Sequence, residues 1–334
     1  MDRQLIIKRF GIFIVGSVAC YLLRFLPPPG ADGYFISNLI ETSPFPIYYR
    51  SVLTVLIHKW CYAVLSPLGW NGWDAMTVSS SLAGGVAIMG LSMLSRHPLF
   101  FAVNMLSGSF LVFFGHAENY AWVNAFLILS YIYFFKWMNG KSSLVYGIVF
   151  YTLACLSHKL AIFYLPAVVY LLWMKRDYHP LEWLLPLLSF LFILLLLPVF
   201  FTVLGTDNGL ERLVPLLHTW SPNHFFTFFS IEHLNILAYF HYRASWLGIF
   251  PIPYIEWYLG LPIELPLLFL FRKRINTLFL KFMLIHVICG LAWTAVWHPD
   301  WGYNDWDLFS QFGIPLHVLL GLLLVQKKTN EKTA

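Results

Sequence analysis

The chain has 334 residues, of which 59% are hydrophobic and only 11% charged, and its mean hydropathy is +0.69. That balance lies far outside the range of soluble globular domains, so lipid is its expected solvent. The net charge of +5 is mostly a matter of membrane topology and gives no support to a nucleic-acid surface.

A bilayer span needs about 20 predominantly apolar residues. Ten stretches near that length follow one another, at 10–26, 78–94, 98–114, 120–135, 144–157, 160–174, 181–204, 252–271, 277–297 and 308–325. The expected fold is therefore all-α and polytopic, one transmembrane domain over 1–334 with about ten transmembrane helices and outer loops at 27–77 and 206–251 that carry interfacial helices. The first stretch follows a basic segment, as in a signal peptide, but no small-residue cleavage site follows it, and it reads as a retained anchor. Lys136 and Lys141 precede the short fifth and sixth stretches, and Lys175 and Arg176 follow them. Basic flanks mark the cytoplasmic side, so two crossings are expected here rather than one long helix. With the N-terminus inside, all of the 21 Lys and Arg fall in short cytoplasmic segments except six: Arg24, Arg50, Lys59, Lys159, Arg212 and Arg243. The 14 Trp and 18 Tyr suit belts at the membrane interfaces. Cys20, Cys61, Cys155 and Cys289 form no CxxC pair, so neither a disulfide framework nor a zinc site is indicated.

Polar groups near lipid are expensive, which makes their placement informative. In the first outer loop, Pro-Pro-Pro-Gly at 27–30 is expected to end the first helix and leave Asp32 just outside the membrane, followed by Tyr34. Arg50, Thr54 and His58 then recur at i, i+4 and i+8, the spacing of an interfacial helix with one polar stripe; a solvated face is the first reading and a substrate clamp the second. The second outer turn carries His116 and Glu118, an acid close enough to two spans to bear a desolvation cost and want a partner. The third carries His158 and Lys159, readable as a helix cap with an interfacial lysine or as part of a site in a water-filled cavity. The fourth group is the loop with His233, His241 and Arg243 together with a Trp-rich final loop holding His298, Asp300, Asp305 and Asp307. Taken singly, Asp32 reads as a solvated loop acid and the final loop as an aromatic belt. Together they gather on the face opposite the basic loops.

In order and placement these features resemble the GT-C superfamily of polyprenyl-phosphate-sugar-dependent glycosyltransferases, which includes protein O-mannosyltransferases and lipid A aminoarabinose transferases. That group has an acid directly after the first span, then a Tyr-containing helix and a Pro-rich segment; Asp32-Gly33-Tyr34, 36–42 and Ser43-Pro44-Phe45-Pro46-Ile47-Tyr48-Tyr49 match it in order. Glu118 stands where a second acid is usual, near the outer ends of the third and fourth spans. Ser157-His158-Lys159-Leu160 before Leu165-Pro166 looks like the family's Lys-Gly-type turn, with His in place of the usual Thr and Leu in place of Gly. Asn304-Asp305-Trp306-Asp307 is a looser counterpart of the late outer segment. The likeness covers the first ~170 residues and one short segment afterwards.

The resemblance implies an inverting transfer of a sugar from a polyprenyl-phosphate donor to a lipid, glycan or protein acceptor on the non-cytoplasmic face; the expected location is a bacterial inner membrane, multi-pass, with the site facing the periplasm or exterior. Asp32 would be the base and Glu118 the second acid. Lys159, Arg50 and Arg243 would meet the phosphate, and Tyr34, His116, His158, His233, Asp305 and Asp307 would line the substrate. No cofactor is required with certainty; a divalent metal is the open case, with His116, Glu118, His298, Asp300, Asp305 and Asp307 as its ligands, but no local spacing specifies a site. The alternative is a transporter or flippase for a lipid-linked or anionic substrate, which would place ionisable residues at mid-depth on broken helices. A third reading is an accessory subunit of an envelope assembly pathway, which would need no convergent acids.

Overall fold

The computed structural model describes residues 3–27, 32–46, 48, 50–175, 261–296 and 306–326. The span expected at 181–204, the start of the one at 252–271, the loop with His233 and Arg243, and Asp305 lie outside them, and Asp307 is placed by its backbone alone. The described residues form helices, with no strand among them. In chain order the α-helices are α1 (Arg3–Leu22), α2 (Gly33–Thr42), α3 (Val52–Leu65), α4 (Gly72–Leu94), α5 (Pro98–Met105), α6 (Tyr120–Met138), α7 (Leu144–Ser157), α8 (Leu165–Met174), α9 (Leu261–Phe271), α10 (Leu278–Val296) and α11 (Trp306–Val325). One-turn and two-turn 3₁₀ segments connect several of them, including Gly108–Phe113 and Lys159–Tyr164.

Three described helices are long and apolar enough to cross a membrane: Gln4–Leu22, Gly72–Leu94 and Tyr120–Met138. Five others are apolar but shorter. The stretch expected as a third span, 98–114, is broken: α5 stops at Met105 and a 3₁₀ segment resumes at Gly108. The cause is local. Ser107 Oγ donates to the Asn104 carbonyl at 2.7 Å, the acceptor that the Gly108 N–H would use in a continuing helix, while Asn104 Nδ2 donates to the Phe100 carbonyl at 2.8 Å one turn earlier. The broken segment packs on α11, where the absent Cβ of Gly313 leaves room for Ser109 Oγ.

Helix α1 packs closely on α4. On α1 the large apolar side chains point outward, with Phe10 and Leu22 each 62% exposed, while Ser17 and Cys20 turn to α4. Lipid is as apolar as leucine, so close approach of small residues supplies the attraction between such helices. A Cβ on Gly85 would run into Ser17 Oγ and the Phe13 carbonyl. Gly85→Leu should therefore force α1 off α4, costing roughly 1–3 kcal/mol, the usual range for overpacking. Thermal unfolding of the detergent-solubilised protein would show this, and an unchanged midpoint would refute the close α1–α4 contact.

One buried polar bond has a local cause. Pro315 in α11 has no N–H for the Gln311 carbonyl one turn earlier, and the Tyr164 hydroxyl donates to that carbonyl instead, at 2.7 Å.

Two ends of the helix bundle differ chemically. At one, Lys136 at the end of α6 lies within electrostatic reach of Arg9, and Arg274 Nη1 donates to the Leu323 carbonyl near the end of α11. At the other meet the end of α1, the start of α4, the turn before α6 and the turn after α7, with α2 and α3 laid across them.

Candidate functional site

Asp32 stands at the N-cap position of α2, where an aspartate normally accepts a backbone N–H from the first helical turn. Here it does not. Its side chain makes no cap, and Oδ2 instead accepts the Tyr48 hydroxyl at 2.9 Å. Its own backbone N–H donates to Glu118 Oε1 at 2.5 Å, across 86 residues of sequence. The next residue has to be glycine for this to happen, since a Cβ on Gly33 would overlap the Ala117 carbonyl and press on the Trp73 ring. The two acids expected to share a face thus share a contact, through the backbone of one and the carboxylate of the other.

Glu118 is held tightly. It is 2% exposed and belongs to the turn between the Gly108–Phe113 segment and α6. Its carbonyl lies 3.1 Å from His58 Nε2, and since a carbonyl only accepts, His58 must carry its proton on Nε2. Burial agrees, pulling the His58 pKa down to about 4, so the ring is neutral near pH 7. Ser80 Oγ donates to the His116 carbonyl at 2.6 Å, tying the same turn to α4.

The stripe of Arg50, Thr54 and His58 is not a solvated face. α3 begins only at Val52, so Arg50 precedes it, and Thr54 and His58 are fully buried. Thr54 Oγ1 donates to the Ser157 carbonyl at 2.9 Å, so the stripe joins α3 to the turns at Ser157 and Glu118. The apolar face of α3 is the outward one, with Trp60 66% exposed. A polar stripe turned inward and an apolar one turned outward is the arrangement expected against lipid.

Two cations complete the site. The Lys159 N–H donates to the Arg50 carbonyl at 3.0 Å, and the Arg50 guanidinium lies within electrostatic reach of both Lys159 and Tyr48. Burial first, then the Arg50 guanidinium, lower the Lys159 pKa to about 8. Burial, the Asp32 carboxylate and, more weakly, Glu118 raise the Tyr48 phenol against the opposing pull of Arg50, so it stays protonated and donates to Asp32. His158 is 2% exposed and caps the following segment, its Nδ1 accepting the Leu160 N–H at 3.3 Å. Burial and the neighbouring Lys159 and Arg50 hold it well below its ordinary pKa, hence neutral. Its ring lies 5.0 Å from that of Tyr120.

Tyr34 is 73% exposed, with its ring 4.7 Å from Trp73. His116 is buried and lines a cavity of about 270 Å³ with Arg24, Trp73, Asp74 and Ala117. Asp32, Glu118, Arg50, His158 and Lys159 are thus brought together, with His116 and Tyr34 at the margin, while His233, Arg243 and Asp305 lie outside the described residues. No group of three or more His, Cys, Asp or Glu among the described residues could hold a metal ion. Tyr48 stands out in the sequence only as part of the Pro-rich segment, and His58 only as a member of the polar stripe; neither signal points to the contacts with Asp32 and Glu118.

An acceptor-only carboxylate beside two crowded cations and a protonated phenol can take a proton from one group while an anion is held next to it. Compared with family models, with curated proteins and with solved structures, the chain matches none.

Proposed function

We propose that this chain is a multi-pass membrane enzyme that moves a sugar from a polyprenyl-phosphate donor, with inversion, to an acceptor hydroxyl or amine on the non-cytoplasmic face. The observation that carries this reading is the Asp32–Tyr48–Glu118 cluster beside Arg50 and Lys159. In the reaction Asp32 takes the acceptor proton as the acceptor atom bonds to the anomeric carbon, and the bond from that carbon to the phosphate oxygen breaks. Polyprenyl phosphate leaves with the electron pair, its charge met by Arg50 and Lys159. Glu118 acts through Asp32 by fixing its backbone, which makes it a positioning residue. The ten apolar stretches serve as spans or half-spans, and the basic bundle end lies in the cytoplasm of a bacterial inner membrane.

The direct test uses undecaprenyl phosphate, the leaving group of the reaction, with the full chain in lipid nanodiscs. It should bind far more tightly than undecaprenol, and equal binding of the two would remove the phosphate site and with it the transferase reading. The site also sets a pH dependence. Lys159 carries its charge below about 8 and loses it above, where an ordinary lysine would still be charged. The ligand's second ionisation, near pH ~6, is complete before that window. Affinity should therefore fall as pH rises through about 8 and stop falling in Lys159→Arg, whose guanidinium does not titrate there. A flat wild-type profile from about 7 to about 9 would exclude Lys159 as the phosphate partner.

One observation favours the transporter reading. Glu264 in α9 and His317 in α11 approach to 2.8 Å with side chains 14% and 0% exposed, at angles that are not those of a hydrogen bond. Each stands two residues from a proline inside its helix, Pro266 and Pro315. Glu264 lies about 12 Å along α9 from Arg272, well within the depth of a bilayer. Buried ionisable pairs on proline-bearing helices are what transport sites use. Glu264→Gln discriminates: a transporter should lose movement of a lipid-linked sugar across vesicles, whereas the transferase should keep its rate within a few-fold.

A further inference from the structure

The cavity beside the acid pair has a chemistry of its own. It lies between the end of α1, the first turns of α4 and the 115–117 turn, and has a volume of about 270 Å³. That is just under the roughly 300–1,000 Å³ of sites for drug-sized ligands, room for one small ring rather than a chain of them. Its polar walls are supplied by Arg24, Asp74 and His116, and Trp73 contributes an aromatic face.

Arg24 and Asp74 are placed by local bonds that leave their charges uncompensated. The Arg24 guanidinium lies 4.3 Å from the centroid of the Tyr21 ring, and Nη1 donates to the Tyr21 carbonyl. Asp74 sits in a capping box: its Oδ2 accepts the Asn71 N–H, and its N–H donates to Asn71 Oδ1. Neither forms an ion pair among the described residues. A guanidinium donating from one wall and a carboxylate accepting from another cancel in charge, which suits a neutral ring bearing both hydroxyl donors and acceptors. The Trp73 ring offers the flat apolar surface on which the C–H face of such a ring rests.

Position assigns the cavity to one substrate. It shares Trp73 and Ala117 with the Gly33 contact that aligns Asp32, yet neither Arg50 nor Lys159 lines it. The cavity stands apart from the phosphate partners, and an inverting acceptor approaches the anomeric carbon from the side opposite the phosphate, so the acceptor is the reactant assigned to it. We infer that this recess binds a single neutral pyranose unit of the acceptor, presenting one of its hydroxyls to Asp32. The assignment of the unit as acceptor rests on the transferase reading above; the binding of a pyranose does not.

Saturation-transfer NMR on the full chain in nanodiscs reads such weak binding directly. The probes are methyl α-D-glucopyranoside, methyl α-D-mannopyranoside and methyl β-D-galactopyranoside, with glycerol as a ringless polyol and methyl phosphate as an anion. At least one pyranoside should bind, and its affinity should fall roughly tenfold in Arg24→Gln, the loss expected for one charge-assisted hydrogen bond. Arg24 is exposed, so this variant tests the cavity without threatening the fold. Asp74→Asn should act in the same direction. Pyranoside binding without any transfer activity would keep the sugar site and sink the transferase. Transfer activity with no pyranoside bound, or binding indifferent to Arg24→Gln, would overturn the inference. So would preference for methyl phosphate, which would make the recess an anion site.

Discussion

Asp32→Asn should lower the rate of sugar transfer by roughly 10²–10⁴-fold, the usual cost of losing a general base, and leave the protein folded. The geometry separates the two effects unusually well. Glu118 contacts the backbone N–H of Asp32, which the substitution does not touch. The Tyr48 hydroxyl donates to a carboxylate oxygen that the amide still provides. No helix cap is lost, because the Asp32 side chain makes none, so the ~1 kcal/mol that a capping aspartate usually contributes is not at stake. The stability change should therefore stay within about 0.5 kcal/mol, as for an ordinary surface substitution. If Asp32 merely decorates a loop, the variant should transfer sugar nearly as fast as wild type. Purified protein assayed with a polyprenyl-phosphate sugar decides between them, and a rate within a few-fold of wild type would remove Asp32 as the base. Glu118→Gln is the matched control, since it keeps an oxygen for the Asp32 N–H while removing the second charge.

Much of this architecture is legible in the sequence because long apolar runs and charged flanks are coarse signals. Apolar runs and basic flanks place α7, α10 and α11 within a residue or two of their observed ends, and the turns at Asp32, Glu118 and Lys159 do gather at one bundle end. The break after Met105 is not legible from hydropathy, because Asn104 and Ser107 act through bonds to single carbonyls inside an apolar run. The stripe on α3 shows the limit of periodicity. Spacing places Thr54 and His58 on one face but is silent on whether that face meets water or protein, and here the polar face turns inward. Tyr48 and Asp32 lie 16 residues apart and meet only because α2 folds back on the segment that follows it. The Glu264–His317 contact joins two apolar stretches, each of which alone shows only an ionisable residue two positions from a proline.

Gly33→Ala should be nearly as damaging to transfer as the loss of the base, although it removes no chemical group. Helix propensity alone predicts the opposite, since alanine is favoured over glycine by up to about 1 kcal/mol in a helix interior. At this position the new methyl group would overlap the Ala117 carbonyl and come within 2.9 Å of the Trp73 ring. A backbone carbonyl cannot rotate aside as a flexible side chain would, so α2 must move away from the 115–119 turn. Asp32, next in sequence, moves with it, and its N–H leaves Glu118. A misplacement of about 1 Å costs on the order of 10²-fold in rate, and the overpacking costs roughly 1–3 kcal/mol of stability. Binding of undecaprenyl phosphate should change little, because Arg50 and Lys159 are joined through the turn after α7 and do not depend on Gly33. The informative result is therefore a split: transfer rate lost, donor affinity retained. Wild-type transfer by Gly33→Ala would show that the Asp32–Glu118 contact has no part in the reaction, even if Asp32 itself proves to be the base.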